Sequence, residues 1–502
     1  MKNTRSLALL LLLPLASAGC ALHKVETAPS PALPLPQAFD SATEGEPAPD
    51  RWWKAFGDPT LDALMEETLA GNLQLEQMWA RLDQLEAIRR QAGAARFPAV
   101  QMDVGVSERR LQIPAFDPTN PTAGITYEAR TQEAVSASIS AAYELDYLRK
   151  NDYRARAGAH DAAAMRDSLE ATAMTLTASL AESYFNLVMQ RERIALLEAQ
   201  LETNRTYLEL LQLRFDSALA SALDLHQQEQ QVANTEGQLA AARGQAKVAG
   251  QQLAVLLGRV PTGYVPPETG ALPEVGELPA TGLPSDLLVR RPDVRAAQRG
   301  LVAADYRLGA SIADRLPSIR LSASASLQTP SASGVPTSLE DFFSAPLFNL
   351  LAGLTQPLFQ AGRLKAETDR NRAVVDEKAA AFAQTFVQAV FEVESAAVLE
   401  RAQEEQIGHS EKALQAAQGA LEDARVRYEQ GLIDTYLPVL TALTGNQLTE
   451  QALLASRRQR LSYRIQLYRA LGGSWTAALD RPVREEAAAA AKSENVPSHK
   501  EG

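Results

Sequence analysis

The sequence predicts a mixed membrane fold. It is a trimeric 12-stranded β-barrel with four strands per chain, continued by a long α-helical coiled-coil barrel (a periplasmic tunnel), and each chain holds two internal repeats. Three observations carry this reading. Proline is missing from Thr122 through Val260 and again from Leu358 through Leu437, which leaves two very long stretches free of helix breakers. Four short segments alternate apolar and small polar residues. The whole pattern then recurs about 215 residues later, so the repeat unit is a domain-sized half.

The chain opens on a leader, residues 1–19. Lys2 and Arg5 precede the apolar run Leu7 to Ala18, which is too short for a membrane span and fits a secretory signal. "LASAGCA" holds Cys20, the only cysteine in 502 residues, so it has no partner for an internal disulfide. Two readings stand: a signal cut near Ala18 beside an incidental thiol, or a lipid attachment site at Cys20. A small-residue run ending in Gly-Cys resembles a bacterial lipobox, although Ser17 stands where that motif usually has Leu. In lipoproteins of this type Asp after the cysteine favours inner-membrane retention; Ala21 here implies the outer membrane. Residues 20–50 are rich in proline and small residues ("APSPALPLPQ") and read as an extended lipidated tether.

The formal charge is −12, and loss of Lys2 and Arg5 with the leader takes it to about −14. Such an acidic chain argues against a nucleic-acid partner. The paired arginines Arg89-Arg90, Arg290-Arg291 and Arg457-Arg458 sit in helical or cap-like contexts and read as solvated or salt-bridged groups. No stretch after the leader is apolar enough for a transmembrane helix, which leaves barrel strands open, since alternating strands leave little hydropathy signal.

The first repeat is placed at 51–258. Asp58-Pro59 starts a helical pattern over Thr60 to Arg96. A long helix from about Asp146 to Asp216 would measure roughly 105 Å at 1.5 Å per residue. Along it Ala173, Leu180, Leu187, Ile194, Leu201, Leu208 and Phe215 recur every seventh residue. Leu169, Leu176, Leu197 and Leu211 form a second seam, interrupted at Ser183, Gln190 and Asn204. Seven-residue spacing keeps one stripe facing a partner helix. A return helix spans Leu223 to Leu257, so two short helices end to end match one long one.

The second repeat is placed at 285–473, after a linker or equatorial segment at 259–284 and before a C-terminal tail at 474–502. Shifted by 213 residues, the seam reads Phe386, Val393, Glu400, Ile407, Leu414, Leu421 and Tyr428, apolar except for Glu400. "RFDSALASALDL" matches "RYEQGLIDTYLPV", and Leu256–Gly258 matches Ala470–Gly472. Helices are expected at Ser285 to Asp314, Leu364 to Glu429 and Leu437 to Leu471.

Four strands are expected at about 98–107, 134–145, 317–328 and 347–359, the last alternating less cleanly. Val100, Met102, Val104 and Val106 share one face, with Gln101, Asp103, Gly105 and Ser107 on the other. The polar stretches 108–133 and 328–346 would be extracellular loops. A soluble hairpin is the alternative, but it leaves the apolar face uncovered. Four strands cannot close a barrel, and open edges are not tolerated in lipid; three copies supply twelve strands, hence a cyclic homotrimer.

At "GLPSDLLVRRPDVRAAQRGLVAADYRLGASIADRLPSIRLSAS", with "WWKAFGDPTLDALMEETLAGN", "QPLFQAGRL" and "YELDYLRK", the chain resembles the TolC-like outer-membrane efflux proteins. The match is to the lipoprotein (NodT-type) branch that serves resistance–nodulation–division (RND) pumps. The family more often has "DLWGR" where this chain has Asp146-Tyr147-Leu148-Arg149-Lys150. Arg291, Pro292 and Asp293 form a structural motif, with proline in the first helical turn and an anion near the helix N-terminus. Trp52-Trp53 reads as packing.

The resemblance implies a periplasmic gate at the hairpin tips, built here from Asp434, Leu437, Thr441, Asp216 and Ser221. It implies adaptor-contact tips at Arg214, Ala218, Leu219, Arg427, Gly431 and Leu432. Thr441 stands at the family's usual acidic position, and Ala218 stands where the second half has Gly431, which predicts a continuous helical turn at the first tip. The implied partners are two further copies, a periplasmic adaptor, an inner-membrane RND transporter and outer-membrane lipid. The implied role is a passive export duct for small molecules in a tripartite efflux system. A type I protein-secretion conduit and a purely structural coiled-coil lipoprotein are the alternatives. No reaction, cofactor or metal is expected: five scattered histidines lack ligand spacing, and no phosphate-binding glycine loop is present.

Overall fold

A computed structural model describes residues 23–115, 126–328 and 346–481. The leader, Cys20, the outermost parts of both strand connections and the tail beyond 481 lie outside these residues. The described residues form two compact units. The first comprises 23–29, 84–162 and 299–379; the second comprises 30–83, 163–298 and 380–481.

In chain order the elements are α1 (Pro59–Gly71), α2 (Leu73–Ala94), β1 (Ala99–Ala115), β2 (Thr126–Leu145), α3 (Lys150–Asp216) and α4 (Ala222–Leu256). The second repeat supplies α5 (Leu287–Arg290), α6 (Pro292–Ala313), β3 (Ser318–Gln328), β4 (Pro346–Thr355), α7 (Arg363–Glu429) and α8 (Leu437–Leu471). The duplication is visible in the lengths: α3 and α7 each have 67 residues, α4 and α8 each 35, α2 and α6 each 22. None of the described helices is long and apolar enough to cross a membrane.

The strands form one antiparallel sheet in the order β1-β2-β3-β4. Two of them are longer than the alternation predicts. The region expected as a loop at 108–133 is largely paired, with Glu108 opposite Glu133 and Ala115 opposite Thr126. The reason is that side-chain alternation reports contact with lipid, whereas backbone pairing continues wherever two chains can satisfy each other's N–H and C=O groups. β4 ends at Thr355, short of the expected 359, just before Pro357, which has no N–H to give to a ladder.

α1 starts as its sequence requires. Asp58 accepts from the backbone N–H groups of Thr60 and Leu61 at 2.8 and 3.2 Å, with Pro59 in the first turn. The helical segment expected over Thr60 to Arg96 is broken at Asn72, whose backbone is extended (ψ 125°). Asn72 Oδ1 caps α2 by accepting from Gln74 and Leu75, while its Nδ2 donates to the Leu256 carbonyl at 2.7 Å. The second repeat builds the same junction at Arg291 (ψ 118°), whose Nη1 donates to the Ala470 carbonyl at 3.2 Å.

The second unit has the main core. Trp53 is fully buried and meets Trp475 edge-on at 5.1 Å, while Trp52 stacks on Tyr468 at 5.8 Å. These contacts make the tandem tryptophans packing groups. Ala173, Leu180, Leu187, Leu169, Leu176, Leu197 and Leu211 are buried, as seam positions should be, although the first seam opens at Phe215, which is exposed. Of the residues that interrupt the seams, Gln190, Asn204 and Glu400 are buried and Ser183 is half-buried. Asn204 exchanges hydrogen bonds with Gln447 and donates to Thr235 at 2.9 Å, joining α3, α4 and α8. Glu400 is forked by Arg464.

The segment read as a tether is docked in two stretches. Near its start the Tyr153 hydroxyl donates to the His23 carbonyl at 2.7 Å, His23 pairs with Asp305 and Val25 packs on the Tyr153 cluster. A second stretch docks from residue 39 on. Phe39 is buried, and the Glu394 carboxylate accepts from the backbone N–H groups of Asp40 and Ser41 at 2.6 and 3.0 Å. Pro47 then bridges to Ala280 in parallel fashion. Proline-rich composition signals extension; a carboxylate 354 residues away supplies the docking.

Candidate functional site: the sheet faces and the hairpin tips

The sheet in the first unit has one apolar face. Val100, Met102, Val104 and Val106 on β1 and Phe348, Leu350 and Leu354 on β4 are all exposed, Val106 at 77% and Leu350 at 87%. Register aligns them across strands: Met102 stands opposite Ile139, Ile139 opposite Ala325 and Ala325 opposite Phe348. Beyond Val106 the same face of β1 continues as Glu108, Arg110 and Gln112, so the apolar band ends there. A band of this kind, four strands wide with β1 and β4 as free edges within the chain, is what a lipid-facing barrel segment requires.

The second unit contains both hairpin tips. Each long helix ends in a left-handed residue with paired reverse hydrogen bonds. At the first tip Leu219 N–H donates to Arg214 O at 2.7 Å and Ala218 N–H to Phe215 O at 2.9 Å. At the second, Leu432 N–H donates to Arg427 O at 2.9 Å and Gly431 N–H to Tyr428 O at 3.2 Å. Ala218 has φ 59° and Gly431 φ 69°. The expected continuous helical turn at Ala218 is therefore absent; the same two hydrogen bonds hold both tips in one Schellman geometry despite the alanine Cβ.

The strain is local and testable. Ala218→Gly is expected to stabilise the protein by up to about 1 kcal/mol, and Gly431→Ala to destabilise it by about as much, read as opposite shifts of thermal melting by circular dichroism.

The remaining expected site residues fall as follows. Ser221 caps α4 in a reciprocal box with Asp224. Asp216 is exposed and accepts from Gln212 at 3.1 Å. Asp434, Leu437 and Thr441 are exposed, and the Thr441 hydroxyl donates to its own helix at Leu437 O. Leu219 and Leu432 are exposed at 65% and 69%. Arg427 is exposed, while the Arg214 guanidinium lies 4.3 Å from the centroid of the Tyr428 ring, tying the two tips together. Arg291 forks onto Asp293 at 3.1 and 2.6 Å and reaches Glu392 at 2.9 Å. Burial pushes the Asp293 carboxyl up, but the fork from Arg291 outweighs it and holds it below its usual value. The motif thus acts as a structural junction. Cys20 lies outside the described residues.

Sequence reasoning missed what supports the tips. Leu211, Leu225, Tyr428, Tyr436 and Val439 form a separate buried cluster, and Tyr436 Oη hydrogen-bonds Gln228 at 2.9 Å. Tyr428 carried a signal as a seam position; Tyr436, just before α8, carried none. Burial raises the pKa of Tyr436, so its hydroxyl stays a neutral hydrogen-bonding group. Among the described residues no group of three or more His, Cys, Asp or Glu side chains is placed to hold a metal ion.

Comparison with known proteins bears on both regions. The family profile described as outer membrane efflux protein matches residues 64–259 and 283–473, one stretch for each repeat. The pyoverdine export outer membrane protein OpmQ of Pseudomonas aeruginosa is 30% identical over 430 residues, 85% of this chain and 87% of that protein. The toluene efflux pump outer membrane protein TtgC of Pseudomonas putida is 30% identical over 488 residues, 94% and 96% of the two chains. The solved structure of the outer-membrane channel OprN superposes with a TM-score of 0.82 at 24% identity, covering 91% of this chain and 100% of that one, a likeness of fold.

Proposed function

The chain belongs to the outer membrane efflux protein family and is an outer-membrane channel component of an efflux system; on that premise we propose that three copies close one barrel and act as a passive duct. The observation that carries the closure is the exposed apolar band on a four-stranded sheet with two free edges. Lipid covers the apolar face, but it does not tolerate an unpaired strand edge, and a threefold rotation pairs the free edge of each chain with that of the next. The hairpin tips, with Leu219, Leu432 and Leu437 exposed, are the surfaces offered to a periplasmic adaptor, and the driving energy comes from an inner-membrane RND transporter. Cys20 carries the lipid that helps hold the assembly at the outer membrane. Small molecules are the cargo class, in keeping with the pyoverdine and toluene in the names of the relatives.

The test is planar-bilayer conductance of the detergent-purified protein together with its size in solution. Discrete channels from a trimer are expected; a monomeric rod that never conducts would refute the reading. Acyl labelling is expected to be lost in Cys20→Ser, and persistent labelling would overturn the lipid assignment.

A further inference from the structure

The sheet face opposite the apolar band is almost free of charge. Gln101 Nε2 donates to Asp103 Oδ2 at 3.2 Å, which places both side chains on the face away from Val100, Met102 and Val104. Register carries the Asp103 row across the sheet: Asp103 stands opposite Ser138, Ser138 opposite Ser326 and Ser326 opposite Leu347. The row on one side reads Gln101, Ser140, Ser324, Asn349, and the row on the other reads Gly105, Ser136. None of these can ionise. The next charges on this face are the facing pair Glu144 and Arg320, 3.8 Å apart with Lys150 also on Glu144, at one end, and Arg109 at the other. Among the described residues, Asp103 is therefore the single ionisable side chain on this face between the Glu144–Arg320 pair and Arg109.

We propose that Asp103 sets the charge preference of the barrel lumen and favours amphiphilic organic cations over organic anions. The proposal rests on the closed-trimer reading above, in which this face lines the pore. Three copies would put three carboxylates at one height, in a wall whose nearby side chains are uncharged, mainly serine and amides with leucine on β4. A ring of fixed negative charge in a confined pore concentrates cations and repels anions. Leu347 on the same row and Leu351 on the same face, 54% and 66% exposed, add apolar contact beside the acid, which suits a cation with an apolar body.

The test is the reversal potential of the purified protein in planar bilayers across a salt gradient. Asp103 is exposed on the sheet, so its variants do not disturb a core. The wild type is expected to prefer potassium over chloride at low salt. The preference should fall at least about threefold in Asp103→Asn, invert in Asp103→Lys, and fade near 1 M salt, where the screening length is about 3 Å. Channel incidence in each variant shows that the barrel still assembles. If channels form and both variants keep the wild-type reversal potential, the proposal fails while the duct reading stands. If the tip variant Asp434→Asn removes the preference and the Asp103 variants do not, the selectivity belongs to the tip and the proposal also fails. An absence of channels in the wild type would instead sink the closed-barrel reading.

Discussion

Replacing Arg464 with methionine is expected to destabilise the protein by about 3–5 kcal/mol at neutral pH, because it strands the buried Glu400 carboxylate without its hydrogen-bonded counter-charge. The two side chains are 5% and 1% exposed. Arg464 Nε lies 3.0 and 2.9 Å from the two carboxylate oxygens, and its Nη2 lies 2.6 Å from Oε1 and 2.8 Å from the Gly276 carbonyl. Arg460 stands 3.9 Å away, too far for a hydrogen bond. Burial already pushes the Glu400 carboxyl up, and Arg464 is the main influence pulling it back. Without Arg464 the carboxyl rises further. An acid whose folded-state pKa lies above its unfolded value binds a proton on folding, so its penalty is full above the folded pKa and vanishes below the unfolded one. The loss in Arg464→Met should therefore shrink as pH falls from 8 to 5. Thermal melting in detergent at the two pH values measures it, and an equal loss at both would refute the assignment. The double variant Glu400→Leu with Arg464→Met should recover most of the loss, since replacing a whole buried pair by apolar groups is often neutral.

Glu400 also shows how much of this molecule was legible in the sequence. The seven-residue seams and their recurrence 213 residues on were readable because helix packing depends on periodicity alone. Glu400 was visible only as the exception in its seam; its partner, 64 positions away on α8, follows from three-dimensional packing. The strand positions were readable where lipid contact forces alternation, and their outer ends were not, because a paired hairpin in water imposes no such pattern. The break at Asn72 was signalled by Gly71-Asn72, a poor helix-forming pair, but the apolar spacing continues across it. At the tips, Gly431 announces a left-handed residue, whereas Ala218 carries no such signal and adopts one only because its hydrogen bonds require it. The buried support under the tips gathers residues from α3, α4, α7 and the start of α8, and no local pattern announces it.

Gly258→Ala is expected to cost at least about 2 kcal/mol, by two effects that act at the same atom. Gly258 has φ 73°, a conformation that L side chains rarely adopt, and a Cβ there would lie 2.3 Å from the Gly71 carbonyl oxygen. That oxygen is main chain at the end of α1, so it cannot rotate aside. Gly472 repeats the arrangement in the second half, with φ 76° and a Cβ that would lie 2.8 Å from the Arg290 carbonyl oxygen. Each glycine closes a short helix against the end of another, beside the side chain that holds the junction: Asn72 in one repeat, Arg291 in the other. The clash is tighter at Gly258, so Gly258→Ala should lower the melting temperature more than Gly472→Ala, and Asn72→Ala should add little once Gly258 is replaced, because one junction is lost in both. Fully additive losses from Gly258 and Asn72 would show that the two hold separate features. Unchanged melting in Gly258→Ala would show that α1 and α4 can separate without cost, which a close-packed main-chain contact does not allow.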